Sequence, residues 1–174
     1  LTITSGPGMA LKTEFQGLAV ITETPLVIVD VQRGGPSTGL PTKIEQADLL
    51  HAIYGAPGDA PKVVMAPSTI EECYYILSVA RKIAEEFRML VIVLSDANLA
   101  TGQQLFDRPD LSQTPRRPPL DLSPVSPETL PYDWDPTTGL SQRLIPGQPG
   151  GLGVTPSLNP HPTGKALHGT GPHP

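Results

Sequence analysis

The stretch Leu26-Val27-Ile28-Val29-Asp30-Val31-Gln32-Arg33-Gly34-Gly35-Pro36-Ser37-Thr38-Gly39 decides the fold. It begins with a strand over residues 26–31 that is apolar as far as Asp30, without the polar alternation of a half-exposed strand. Such a strand is covered on both faces, as in a parallel sheet. The run that follows, residues 30–39, therefore leaves the carboxyl end of a buried strand, where open α/β sheets bind their ligands.

This run carries one arginine, Arg33, among Gly, Pro, Ser and Thr. Backbone N–H groups and hydroxyls in such a loop can approach an anion closely, and an arginine can hold a carboxylate through two parallel hydrogen bonds. A surface turn with a solvated arginine fits the same composition, since loops of this kind are common. The residues alone leave both interpretations open.

Strand and helix patterns alternate through the first hundred residues. Apolar runs predict strands over residues 1–4, 26–31, 62–66 and 90–94. Between them, helical spacing predicts a helix through Leu11, Phe15 and Leu18 and another over residues 45–54. Strands and helices in series predict an α/β fold with a doubly wound, mostly parallel sheet.

The third predicted helix has the clearest start signal. Ser68 is its expected N-cap, with Glu71 as the capping-box partner three residues later. Apolar residues at helical spacing predict the face that it buries. They are Ile70, Cys73, Tyr74, Leu77, Ala80, Ala84 and Phe87.

Composition limits the class of protein. A length of 174 residues favours one domain, and a net charge of −5 leaves no broad basic surface for nucleic acid. No apolar run is long enough for a membrane span and no signal segment opens the chain. The single cysteine, Cys73, excludes an intrachain disulfide and a thiolate metal cluster, so we expect a reducing cytoplasm.

Proline usage changes near residue 100, because 15 of the 22 prolines follow it. We therefore predict a partial α/β domain over residues 1–105, a Pro-rich irregular arm over 106–155 and a disordered tail over 156–174. Tyr132 and Trp134 are the expected anchors of the arm. Since the chain begins inside a predicted strand, we also expect a fragment that lacks at least one upstream strand–helix unit.

Other polar residues carry weaker signals. The run Thr4-Ser5-Gly6-Pro7-Gly8 joins a strand to a helix and could present N–H groups to a ligand, or could simply be a tight turn. Asp96 is expected to cap the turn at Asn98. No carboxylate lies at helical spacing to orient His51, so a core or surface position is expected for it. Glu14 and Glu23 are the acidic candidates on the first helix, and solvated positions are expected for both. No catalytic residue stands out.

Several motifs, in order, resemble the alpha subunit of 2-oxoacid:ferredoxin oxidoreductases, most closely the 2-oxoglutarate type with a fused gamma domain. They are Thr4-Ser5-Gly6-Pro7-Gly8 with Thr13-Glu14, Asp30-Val31-Gln32-Arg33, Gly35-Pro36-Ser37-Thr38-Gly39-Leu40-Pro41-Thr42, Gln46-Ala47-Asp48-Leu49-Leu50, Tyr54-Gly55, Leu94-Ser95-Asp96, Pro131-Tyr132-Asp133-Trp134 and Ile145-Pro146-Gly147. The resemblance covers roughly residues 1–150 and fades after about Gly153.

The resemblance implies a thiamine pyrimidine-binding domain of a doubly wound α/β fold. Such enzymes decarboxylate a 2-oxoacid to its acyl-coenzyme A and pass the electrons to ferredoxin. Arg33 matches the arginine that holds the substrate carboxylate, and Thr42 matches a threonine of the same pocket. Four residues that match the turn beside the thiamine pyrimidine are implied cofactor contacts: Ser5, Gly6, Pro7 and Gly8.

The resemblance also implies a partner. Thiamine diphosphate would be shared with a beta subunit, which would carry the Mg²⁺ and iron–sulfur sites. The family's upstream Tyr-Pro-Ile-Thr-Pro motif and pyrimidine-contacting glutamate do not appear in this sequence, so we expect the chain alone to be inactive. The alternative is a non-catalytic α/β binding module that retains the fold.

Overall fold

The computed structural model describes residues 1–112, 114–116, 118–126, 135–142 and 148–149. The chain divides into two compact units, Leu1–Pro118 and Pro119–Pro174. The described residues of the first unit form four strands and five helices, with one or two helices between successive strands. They are β1 Thr2–Thr4, α1 Gly6–Leu11, α2 Thr13–Ile21, β2 Leu26–Gln32, α3 Leu49–Tyr54, β3 Lys62–Met65, α4 Ile70–Phe87, β4 Leu90–Asp96 and α5 Ala97–Thr101.

The four strands form one sheet in the order β1-β2-β4-β3, and every pairing is parallel. The central pair, β2 and β4, is in register over seven residues, from Leu26 opposite Leu90 to Gln32 opposite Asp96. The doubly wound, parallel α/β fold predicted from the sequence is therefore confirmed.

Each face of the sheet packs against helices, because alternate side chains of the central strands point to opposite faces. On one face, Ile28 and Ile92 pack with Met9 of α1, Val20 of α2 and Ala52 of α3. On the other face, Val27, Val29, Val91 and Val93 pack against Ala80 and Ala84 of α4. This double coverage explains why β2 and β4 read as continuous apolar runs.

Two predicted helices have different bounds in the structure. The first is divided at Lys12, which ends α1 and precedes α2. The second begins at Leu49 instead of residue 45, because the backbone N–H of Asp48 donates to the side chain of Gln32, 3.0 Å away. That bond fixes residue 48 outside the helix and leaves residues 45–47 in the preceding loop.

The predicted N-cap of α4 is wrong by one residue. Thr69, not Ser68, has the extended backbone of an N-cap, and its hydroxyl accepts from the Glu72 N–H at 3.0 Å. Glu72, not Glu71, reaches back, accepting from the Ser68 N–H and hydroxyl at 2.6 Å. The buried face is also rotated, since Phe87 is half exposed while Ile76 and Ile83 pack against the core.

Glu23, expected to be solvated, pairs with Arg88 at 3.0 Å. Arg88 ends α4 in a left-handed conformation with φ of 51°. The ion pair therefore joins the end of α2 to the turn between α4 and β4.

The second unit has no helix or strand among its described residues. The side chain of Gln148 donates to the backbone carbonyls of Asp121 and Ser123, and Val125 N–H donates to Pro149. The expected anchors Tyr132 and Trp134 and the tail over 156–174 lie outside the described residues, and the predicted domain boundaries stay a prediction. Within the described part of the chain, no helix is long and apolar enough to cross a membrane.

The cap of α4 can be tested by paired substitutions. Thr69→Ala removes the acceptor for the Glu72 N–H and should lower the free energy of unfolding by about 1 kcal/mol. Ser68→Ala leaves that bond and the Ser68 N–H contact intact, so its loss should be smaller. Urea denaturation of both variants checks this, and a larger loss for Ser68→Ala would contradict the assignment.

Candidate functional site

Polar residues of the first unit gather at the carboxyl edge of the sheet. Parallel strands end at a common edge, so the ends of β1, β2 and β4 meet there. Thr4 of β1 lies opposite Asp30 of β2, and Gln32 lies opposite Asp96 of β4. Asp30, Gln32 and Asp96 are all buried, although the first four positions of both β2 and β4 are apolar.

The segment between β2 and α3, residues 33–48, forms a closed loop that we call the 33–48 loop. Gly34 N–H donates to the Lys43 backbone carbonyl at 2.8 Å, and Leu40 N–H donates to the Gly34 backbone carbonyl at 2.8 Å. Gly39 has φ of +57°, and a β-carbon there would collide with the carbonyl oxygen of Gly34. Glycine is therefore required for this closure.

Two glutamine side chains tie the 33–48 loop to the sheet. Gln32 donates from Nε2 to the Ser95 carbonyl at 3.2 Å and accepts from Asp48 N–H at 3.0 Å. Gln46 donates from Nε2 to Oδ2 of Asp96 at 2.6 Å. The loop is thus fixed near both of its ends, and sequence reasoning missed these two residues because their partners lie 16 to 63 positions away.

Arg33 stands at the start of this loop, half-buried, just beyond the end of β2. Its Nε is buried without a hydrogen-bond partner, and no carboxylate forms an ion pair with it in the described part of the chain. A buried donor without a partner carries a desolvation cost that an anionic ligand would remove. The geometry therefore suits the binding of a carboxylate.

Thr42 belongs to the same loop but is exposed. The hydrogen bond from Gly34 N–H to the Lys43 carbonyl joins the residue after Arg33 to the residue after Thr42. The structure thus brings the two predicted substrate residues onto one loop. Their assignment to a substrate stays a prediction.

The predicted cofactor turn, residues 5–8, joins β1 to α1 at the same edge. Ser5 is the N-cap of α1, but its side chain makes no capping hydrogen bond, and Pro7 lies in the first turn. A β-carbon at Gly6 would lie 2.6 Å from both carboxylate oxygens of Asp48, and one at Gly8 would collide with the Thr4 hydroxyl. Both glycines therefore let the turn approach the strand and the 33–48 loop closely.

An acid pair lies under this turn, and the sequence analysis did not identify it. Asp30 is fully buried and interacts with Asp48. Burial, the negative charge of Asp48 and a hydrogen bond between the two carboxyl groups together raise the pKa of Asp30 to about 7. Asp30 therefore keeps its proton well above the pH at which an ordinary aspartate loses it.

Asp96 is the N-cap of α5, and its carboxylate accepts from Leu99 N–H at 2.8 Å. Although burial opposes the shift, hydrogen bonds from Leu99, Gln46 and Asn98 hold the pKa of Asp96 below its usual value. Burial raises the pKa of the Cys73 thiol, which makes it a poor nucleophile. No cluster of three His, Cys, Asp or Glu side chains that could hold a metal ion occurs among the described residues.

Residues 1–117 match a protein family described as pyruvate flavodoxin/ferredoxin oxidoreductase, thiamine diphosphate-binding. The 2-oxoglutarate oxidoreductase subunit KorA of Mycobacterium tuberculosis is 47% identical over 150 residues, which cover 86% of this chain and 23% of that protein. The 2-oxoglutarate synthase subunit KorA of Archaeoglobus fulgidus is 52% identical over 96 residues, covering 55% of this chain and 28% of that protein.

One solved structure is similar over nearly the whole chain. It is a 2-oxoglutarate:ferredoxin oxidoreductase from Magnetococcus marinus with 2-oxoglutarate, coenzyme A and succinyl-CoA bound. The TM-score is 0.80 at 37% identity, covering 95% of this chain and 28% of that one. The chain thus spans about a quarter of the length of the curated relatives described above and of this structure.

The tie between Gln46 and Asp96 predicts how the 33–48 loop responds to its loss. Gln46→Met removes the donor but keeps the volume, so the Gly34 amide should exchange with solvent several-fold faster. The loss of overall stability should be only about 1 kcal/mol. Hydrogen exchange measures both, with the exposed Gln103→Met as the matched control. Unchanged Gly34 exchange in Gln46→Met would contradict the anchoring role.

The acid pair predicts an unusual pH dependence of stability. The folded-state pKa of Asp30, about 7, lies above the ordinary aspartate pKa of 3.8, so the folded state holds one more proton between these values. Stability should therefore fall as pH rises from 4 to 7, by up to about 1.4 kcal/mol per pH unit, and level off above 7.

Asp30→Asn cannot ionise and should lack this component. Urea unfolding of both proteins at several pH values measures the difference, with exposed Asp59→Asn as the control. If the free energy of unfolding changes with pH equally in Asp30→Asn and in the unsubstituted chain, Asp30 does not hold the proton.

Proposed function

The chain belongs to the thiamine-diphosphate-binding family of pyruvate flavodoxin/ferredoxin oxidoreductases, as its motifs indicated, and from this premise we propose a role in 2-oxoacid oxidation. In this proposal the chain is part of the alpha subunit of a 2-oxoacid:ferredoxin oxidoreductase. The enzyme oxidatively decarboxylates a 2-oxoacid, with 2-oxoglutarate the favoured substrate, to its acyl-coenzyme A. The names of the similar proteins support this substrate class.

Arg33 carries the proposal. Its guanidinium lies at the carboxyl edge with a buried Nε that has no partner among the described residues. A 2-oxoacid presents a planar carboxylate that can accept two parallel hydrogen bonds from such a group. Gln46 ties the far end of the 33–48 loop to β4, so the loop that carries Arg33 is anchored to the sheet.

The turn of residues 5–8 suits the cofactor proposed for this family. Its two glycines let the backbone of the turn pack closely on Asp48 and Thr4, and the Ser5 hydroxyl is not used to cap α1. These groups would contact the pyrimidine of thiamine diphosphate, and Thr42 would line the neighbouring substrate pocket. When bound, this cofactor would supply the electron-sink chemistry that decarboxylation of a 2-oxoacid needs.

The remaining parts of the reaction belong to partners in this proposal. A beta subunit would share the thiamine diphosphate and carry the Mg²⁺ and iron–sulfur sites, and ferredoxin would accept the electrons. Coenzyme A would accept the acyl group. The single cysteine, which forms no disulfide within the chain, fits the reducing cytoplasm in which such an enzyme would work.

Arg33→Ala should affect turnover far more than folding. Arg33 lies outside both apolar clusters, so the melting temperature should change little. Two charge-assisted hydrogen bonds contribute about 1.5–3 kcal/mol each, so the loss of both predicts roughly a hundredfold or greater fall in kcat/KM. Arg33→Lys keeps the charge but loses the paired geometry, and should recover only part of the loss.

The measurement is steady-state kinetics of the enzyme assembled with its beta subunit, beside a melting curve for each variant. Exposed Arg108→Ala is the matched control and should leave both values unchanged. Near-normal kcat/KM in Arg33→Ala, or a loss explained by unfolding alone, would refute the role of Arg33 in carboxylate binding.

A further inference from the structure

The acid pair formed by Asp30 and Asp48 has no part in the function proposed above. Asp30 is fully buried at the carboxyl end of β2, on the face that packs against α1, α2 and α3. With both carboxyl groups ionised, neither Asp30 oxygen has a hydrogen-bond partner among the described residues. A proton on Asp30 supplies the missing donor, since Asp48 can then accept it.

The same Asp48 carboxylate touches the turn of residues 5–8. Both of its oxygens lie 2.6 Å from the position that a β-carbon of Gly6 would occupy. Its backbone N–H is bonded to Gln32, so the main chain of Asp48 is fixed to β2. Asp48 therefore lies between Asp30 and Gly6, and its contacts link β2 to the turn of residues 5–8.

The elements around this pair carry several ionisable residues. In the 33–48 loop, Lys43 and Glu45 are exposed, and the Glu45 carboxylate accepts from Gly35 N–H at 2.8 Å. Lys12 lies between α1 and α2. Thr4 and Leu94, the strand neighbours of Asp30, do not ionise, and neither does any residue of β1 or α1. On α2 the only ionisable residue is the exposed Glu14, and the His51 ring of α3 lies beside Gly55 at the far end of that helix. At the same edge stand Arg33 and Asp96, whose carboxylate is bonded to Leu99 and Gln46.

Lys62, the ionisable residue at the start of β3, is remote from the pair. It lies opposite Leu90, whereas Asp30 lies opposite Leu94. Four residues of strand separate these positions, or about 13 Å along the sheet. Asp48 is thus the charged group that Asp30 meets most directly.

We propose that Asp30 and Asp48 share one proton and act as a positioning pair, holding the turn of residues 5–8 against the ends of β1 and β2. While the proton is present, a carboxyl–carboxylate hydrogen bond joins β2 to Asp48, and Asp48 packs on Gly6. When the proton leaves, two negative charges face each other in a buried site, and the turn is released. The consequence for cofactor binding rests on the proposed function, but the positioning itself does not.

Amide hydrogen exchange of the full 174-residue chain, without cofactor, tests the pair. The reporter is the Met9 N–H, which donates to the Ser5 carbonyl at 2.9 Å and is protected only while the turn is in place. When the turn opens, the pKa of Asp30 returns to that of an ordinary aspartate. The protection of Met9 should therefore fall by up to about tenfold per pH unit from pH 5 to 7, beyond the intrinsic change, and level off above 7.

The Leu99 N–H is the internal control. It lies at the same edge of the sheet, in α5, and donates to the Asp96 carboxylate instead of to the turn of residues 5–8. Its protection should not follow this slope. Asp30→Asn keeps a donor for Asp48 and should abolish the slope of Met9, whereas exposed Asp59→Asn should retain it.

The unsubstituted chain decides the question even if Asp30→Asn fails to fold. The proposal would be overturned if the protection of the Met9 N–H did not change with pH, or changed only as that of the Leu99 N–H does. It would also be overturned if folded Asp30→Asn kept the same pH dependence of Met9 protection as the unsubstituted chain. Failure of the proposed function would instead appear in the Arg33 kinetics and leave the Met9 slope unchanged.

Discussion

The parallel pairing of β2 with β4 is the constraint on which the rest of the structure depends. The two strands stay in register for seven residues, and their central positions are apolar on both faces. Polar residues enter only at the carboxyl end, where Gln32 and Asp96 come opposite each other. Buried polar groups need hydrogen-bond partners. Gln32 and Asp96 find theirs in Asp48 and Gln46, so the 33–48 loop packs along this edge of the sheet.

The two segments of the candidate site, the 33–48 loop and the turn of residues 5–8, are held to the sheet by different kinds of hydrogen bond. Neutral amides, Gln32 and Gln46, tie the 33–48 loop to β4, and they add no charge beside Arg33. A proton shared by two acids lies beneath the turn of residues 5–8. The guanidinium of Arg33, whose buried Nε has no partner among the described residues, is left for a ligand.

The sequence predicted the fold well because the signals for it are local. Apolar runs defined the four strands, and the composition of the loop after β2 identified Arg33. The cap of α4 was assigned to Ser68 instead of Thr69, since adjacent hydroxyl residues are equivalent in composition and differ only in backbone conformation. The roles of Gln32, Gln46 and the acid pair could not be predicted, because their partners come together only when β2, β4 and the loop are assembled.

The most direct test of the central claim is a structure of the assembled enzyme with its 2-oxoacid bound. We expect the substrate carboxylate to lie within hydrogen-bond distance of the Arg33 guanidinium, with the thiamine pyrimidine beside the turn of residues 5–8. A substrate carboxylate held by another cation, with Arg33 turned to solvent or paired with a protein carboxylate, would contradict it.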